Sequence, residues 1–156
     1  MDNLPGPLRE SLRYVAEAMR GAHDPWWIIA SAAMALHGAS PIDVADVDLL
    51  ASERDAEALI AALGIAQPPP AISPRFRSAI FVRWEEPPLP VEIMAGFEVH
   101  SPNGWHMIRP KSRVAVDCGD IRLFVPDVPE LIAQCHRYGR DKDRQRATLL
   151  QRLIAE

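Results

Sequence analysis

Apolar residues Leu8, Leu12, Val15 and Met19 recur at helical spacing between Pro5/Pro7 and Gly21, which predicts an opening amphipathic helix. WWIIA (26–30) is a short aromatic and β-branched run, the pattern of a buried strand. From Ser31 small residues dominate in SAAMALHG, so Ser31 is expected to cap a helix that Gly38 ends. VADVDLLAS (44–52) predicts a second buried strand, and Ser52 with Asp55 resembles a capping box opening ERDAEALIAALG, which Gly64 ends. QPPPAISP (67–74) is a loop, because successive prolines permit neither helix nor central strand. FRSAIFVRW (76–84) alternates as one strand, EEPPLP is a stiff turn, and VEIMAGFEV (91–99) is the next strand.

A loop carrying His100, Asn103, Gly104 and Trp105 leads to RVAVDCGDIRLFVP, a hairpin turning at Cys118-Gly119-Asp120. Asp127 with Glu130 opens a helix to about Tyr138; Gly139 breaks it, and Asp141 to Ala155 continues as a basic helix. There is no internal repeat.

At 156 residues the chain is expected to form one domain, with a core over about 22–125 and C-terminal helices over about 127–155. The 15 prolines, about twice the usual share, exclude a long coiled coil. They cluster at 68–70 and 87–90, where they are expected to stiffen a pocket rim. The net charge of −4 argues against non-specific DNA binding. It also hides a segregation, because the first 135 residues hold a net of −7 and the tail is basic. Cys118 and Cys135 lie outside any metal-ligand spacing and are expected as buried free thiols in a cytoplasmic protein. The start lacks a signal-peptide pattern and no apolar run reaches membrane-spanning length, so a soluble protein is expected.

The most informative chemistry is Asp46-Val47-Asp48. On a strand, residues i and i+2 project from one face about 7 Å apart, so both carboxylates would point the same way. Their neighbours Val47, Leu49 and Leu50 are apolar. Paired carboxylates in such surroundings repel and are costly to desolvate unless a cation compensates, and hard oxygen ligands suit Mg²⁺. The bland alternative is an exposed strand end with both aspartates facing water.

In this context the sequence resembles the nucleotidyltransferase superfamily, specifically small bacterial members near the abortive-infection and antitoxin-associated proteins. Their pattern is a strand, a Gly-Gly or Gly-Ser turn opening a helix, Asp-x-Asp on the next strand, and a third acid on a later one. Here these are WWII, Ala30-Ser31, AAMALHG, DVDLL with Asp46 and Asp48, and Glu92 in VEIMAGF. LFVPDVPELIAQCHRYGRDKD resembles their terminal segment. The resemblance implies an α/β (α+β) nucleotidyltransferase fold, a mixed β-sheet flanked by helices with a C-terminal helical pair.

It further implies a two-metal Mg²⁺ site on Asp46, Asp48 and Glu92, with Glu92 able to take the acceptor proton. Ser31 and the N–H groups after it would hold the phosphates of a nucleoside triphosphate, ATP in the simplest case, with Arg140 and Lys142 in a basic set beside Arg137. The acceptor would be a small molecule, RNA or protein, and a homodimer is compatible with so small a chain. Several positions depart from the pattern: Ala30 for the turn's first glycine, Ile42 and Val44 before the aspartates, Cys135 for a lysine, Arg146 for an aspartate, and Glu92 itself. They keep a second class open, a catalytically inactive nucleotide-binding or protein-interaction module of the same fold. A nuclease using the same carboxylates rests on Asp-x-Asp alone. Ser31 as a plain N-cap, the basic set as a solvated helix face, His37 as a structural histidine, and Trp84 and Trp105 as either packing residues or base-stacking platforms complete the alternatives.

Overall fold

The computed structural model describes residues 4–67 and 73–155. The opening helix, α1 (Gly6–Ala18), forms where the apolar spacing places it and buries Leu8, Leu12 and Val15. Strand β1 (Trp27–Ile29) leads directly into α2 (Ala30–Leu36), then β2 (Val47–Leu50) into α3 (Glu53–Leu63). Ser52 caps α3 by accepting a hydrogen bond from the Asp55 N–H. The Asp55 carboxylate does not close a reciprocal box; it is buried and accepts from the backbone N–H groups of His23 and Asp24, fixing the entry to β1.

Two expected strands are each broken in two. The 76–84 segment divides into β3 (Phe76–Arg77) and β4 (Ile80–Trp84), and the 91–99 segment into β5 (Val91–Ala95) and β6 (Glu98–Ser101). Gly96 is the reason for the second break. Its φ of 63° is left-handed, and a Cβ there would stand 2.9 Å from Ala79 Cβ, so the chains cross at a point only glycine fits. The expected loop at 100–105 is instead a hairpin between β6 and β7 (Gly104–Met107). The hairpin at Gly119 forms as expected between β8 (Val114–Cys118) and β9 (Ile121–Val125). Helices α4 (Val128–Tyr138, capped by Asp127) and α5 (Asp141–Ile154) pack on each other at the C-terminal end.

The central sheet has the order β1-β2-β5-β4, with β2/β5 parallel and the outer pairs antiparallel. Two smaller sheets flank it, β3-β6-β7 and β8-β9. Alternation along the central strands sends Val47, Leu49, Val91, Ile93, Val82 and Trp84 into the main core, where β2 packs against α1 and α2 and β5 against α3. The opposite face carries Leu50 and Met94 into a smaller cluster with Ile29, Phe97, Val99, Ile108 and Tyr138. The prolines at 68–70 lie outside the described residues. The 87–90 turn is held against α1 by Ser11, whose hydroxyl donates to the Leu89 carbonyl and accepts from its N–H. That turn does not line the cavity described below. Cys118 and Cys135 are free and buried, and among the described residues no helix is long and apolar enough to cross a membrane.

Candidate active site

The sheet register places the acidic residues side by side. Ile29 pairs with Asp48, Asp48 with Glu92, and Glu92 with Arg83, so one row of four residues crosses β1, β2, β5 and β4. Directly paired side chains share a face, and this row lies on the face away from the main core. Asp46 precedes the first residue of β2, so the strand alternation does not by itself place it. The fold nevertheless brings one carboxylate oxygen each of Asp46, Asp48 and Glu92 within 4.8 Å of one another.

All three are half-buried, and Asp48 has a perturbed carboxyl. Burial is the main cause that pushes its carboxyl well above the usual carboxylate range, and the charges of Asp46 and Glu92 push it further. Arg146 on α5 pulls it the other way, more weakly. The Arg83 guanidinium donates to Glu92 Oε2 at 3.1 Å and stands 4.0 Å from Asp46 Oδ2, while its Nε donates to Glu85 at 2.9 Å. Three hard oxygen donors converge on one point, and among the described residues no cation is in ion-pair contact with Asp48. That donor set fits a divalent cation such as Mg²⁺.

Beside the carboxylates lies a cavity of about 350 Å³. Asp48, Glu92 and Ala30 form one end, and Phe76, Phe97 and Tyr138 form an aromatic wall. Phe76 and Phe97 stack at 5.9 Å, and Phe76 meets Tyr138 edge-on at 5.6 Å. Tyr138 is buried with no partner for its hydroxyl among the described residues, and burial pushes the phenol well above its usual range.

Not every residue expected at the site arrives there. Arg140 lines the cavity, its guanidinium 5.0 Å from the Phe76 ring, but it is committed to the buried Asp143 through bonds of 2.6 and 3.0 Å. Lys142 and Arg137 are exposed on the C-terminal helices and outside the cavity lining. Ser31 does not cap α2: the N-cap is Ile29, with no side-chain bond, and Ser31 is buried as the helix's second residue. The cavity wall at the turn is Ala30, with φ at 60°. A non-glycine residue there carries the Cβ strain that glycine avoids, so the backbone keeps the shape of a glycine turn although the sequence does not. His37 is structural, its Nε2 2.7 Å from the Pro126 carbonyl oxygen. Trp84 is buried edge-on against Tyr14, and Trp105 packs with His100 and the Arg77 guanidinium; neither lines the cavity.

Arg83 and the aromatic wall escaped the sequence reading. Alternation in IFVRW shows which residues share a face of β4, but only the β4/β5 pairing puts Arg83 beside Glu92. Phe76, Phe97 and Tyr138 come from three separate elements and carry no joint signal in the chain.

No known family profile matches the sequence, and no curated protein matches it. Solved structures do. A candidate nucleotidyltransferase from Thermotoga maritima superimposes with a TM-score of 0.70 at 19% identity, over 93% of this chain and 91% of that one. The lincosamide antibiotic adenylyltransferase LnuA, in its lincomycin-bound structure, gives 0.60 at 12% identity, over 92% and 96%. The antibiotic-resistance factor ANT(2'')-Ia gives 0.62 at 11% identity, over 94% and 84%. The fold of this chain is therefore the nucleotidyltransferase fold, with its mixed sheet, flanking helices and C-terminal helical pair.

Proposed function

We propose that this nucleotidyltransferase-fold chain transfers a nucleoside monophosphate from a nucleoside triphosphate, ATP in the simplest case, to a hydroxyl-bearing acceptor. The observation that carries the reading is the convergence of the Asp46, Asp48 and Glu92 carboxylates within 4.8 Å, two of which, Asp48 and Glu92, line an aromatic-walled cavity. These three residues would hold Mg²⁺, which when bound neutralises the triphosphate and makes the attacking hydroxyl more acidic.

The chain's own contributions follow from position. Glu92, paired with Asp48 across β2/β5, would accept the acceptor's proton as the new oxygen–phosphorus bond forms. The bond from the α-phosphorus to its bridging oxygen breaks, and pyrophosphate leaves with that electron pair. Ala30 lines the cavity, and backbone N–H groups at the Ala30–Ser31 turn would hold the phosphates, while the Ser31 side chain is buried in α2. Phe76, Phe97 and Tyr138 exclude water on one side and offer flat apolar surface to the ring nearest the reacting phosphorus. Arg140 is held against this wall by Asp143 and would add positive charge there.

The second reading, an inactive binding module, is favoured by two observations: the Ala30 Cβ at the phosphate turn, and the Arg83 guanidinium already paired with two of the carboxylates. Calorimetric titration of ATP and GTP with and without Mg²⁺, on wild type and Asp46→Asn/Asp48→Asn, separates the two. Metal-dependent binding that the double substitution abolishes, together with pyrophosphate release on adding an acceptor pool, is the expected result. Binding without pyrophosphate release from any pool supports the module, and no nucleotide binding refutes the transferase.

A further inference from the structure

We propose that Arg83 is the resident counter-cation of the carboxylate cluster, and that a divalent ion binds only by displacing its guanidinium onto Glu85. This rests on the metal-site reading above and adds a component that reading does not contain.

The sheet itself builds the arrangement. Arg83 is the fourth member of the row that begins at Ile29, directly paired with Glu92 across the β4/β5 ladder. Its Nη1 lies 3.1 Å from Glu92 Oε2 and 4.0 Å from Asp46 Oδ2, so a single nitrogen faces two of the three carboxylates. Among the described residues it is the one cation in ion-pair contact with the cluster. Arg140, the nearest alternative in the cavity wall, is bonded to Asp143 instead.

The same side chain has somewhere to go. Its Nε already donates to Glu85 Oε1 at 2.9 Å, and the Arg83 and Glu85 side chains are 43% and 71% exposed. Because Glu85 is the more exposed partner, its carboxylate can follow the guanidinium as the planar group swings away from Glu92. A guanidinium and a divalent ion compete for the same carboxylate lone pairs, and their like charges repel at contact distance. Asp48 is the one carboxylate of the three that Arg83 does not pair with, so displacing the guanidinium is what frees Glu92 and Asp46 to join Asp48 on an ion.

The experiment measures metal binding and metal-free stability rather than turnover. Mn²⁺ is titrated into wild type, Arg83→Gln, Arg83→Lys and Asp48→Asn, with free Mn²⁺ read by electron paramagnetic resonance. A unit charge roughly 6 Å from a divalent ion weakens its binding about tenfold even at the dielectric of water. Arg83→Gln is therefore expected to bind Mn²⁺ about tenfold more tightly than wild type, with Arg83→Lys near wild type. In EDTA, melting temperatures of Arg83→Gln, Glu92→Gln and the double variant are expected to be non-additive, because Arg83 and Glu92 lose the same interaction.

Equal or weaker Mn²⁺ binding by Arg83→Gln, with binding still abolished in Asp48→Asn, overturns the inference and leaves the proposed function standing. Binding by Arg83→Gln alone, with none in wild type, means that the ion cannot displace Arg83 and overturns both the displacement and the transferase reading. No Mn²⁺ binding by any variant overturns both.

Discussion

Asp48→Asn is expected to make the metal-free protein more stable while removing its capacity to bind a divalent ion. Asp48 is one of three half-buried carboxylates whose oxygens approach within 4.8 Å. At an effective dielectric of about 20, one fully ionised pair at that separation repels by about 3–4 kcal/mol. Arg83 offsets part of this, and Asp48 offsets more by holding its proton to a higher pH than an ordinary aspartate. An isosteric amide removes the remaining charge, worth about 1–3 kcal/mol, or about 3–10 °C in melting temperature for a chain of this size.

The pH dependence carries the sign of the effect. Between the ordinary aspartate value and the raised value of Asp48, the folded state holds a proton that the unfolded chain has lost. Wild-type stability therefore falls as pH rises through that window, and it stays lower above it. Differential scanning calorimetry in EDTA from about pH 4 to about pH 8 reads both variants, with Asp48→Asn expected to lack this decline. If Asp48→Asn melts at or below wild type throughout the window, the carboxylates are not under electrostatic strain and the argument for a cation site weakens at its foundation.

Two further outcomes test other parts of the structure. Ala30→Gly is expected to raise stability by about 0.5–1 kcal/mol in thermal melts, because relieving a left-handed alanine outweighs the entropy of an added glycine; a loss would mean the φ of 60° is not strained. In acid, Asp24 is held down to about 2 by its hydrogen bonds from Arg54, then Ser52. Its contribution is present above the ordinary aspartate value and lost as pH falls toward about 2. Arg54→Gln should therefore flatten the acid limb of the melting profile, and an unchanged limb would count against the pair.

Local signals in the chain carried the elements whose ends are set by local chemistry. Ser52 and Asp127 cap helices because their side chains reach an N–H three residues on, and Gly64 and Gly139 end those helices in the left-handed conformation. The sequence misjudged the points where a distant neighbour decides. Gly96 breaks a continuous apolar pattern because Ala79 crosses it, and Ser31 fails as a cap because the turn is made one residue earlier, at Ala30.

The same division runs through the site. Asp46, Asp48 and Glu92 were legible in the chain, since carboxylates among apolar strand residues demand compensation wherever they fold, and the order of motifs pointed to the third. Their convergence, the closure of the cavity by Phe76, Phe97 and Tyr138, and the placement of Arg83 beside Glu92 were decided only by tertiary structure. A strand's alternation specifies which side chains share a face, but strand order and register specify which of them touch. Those depend on pairing energies summed across β1, β2, β5 and β4, and no single segment of the chain contains them.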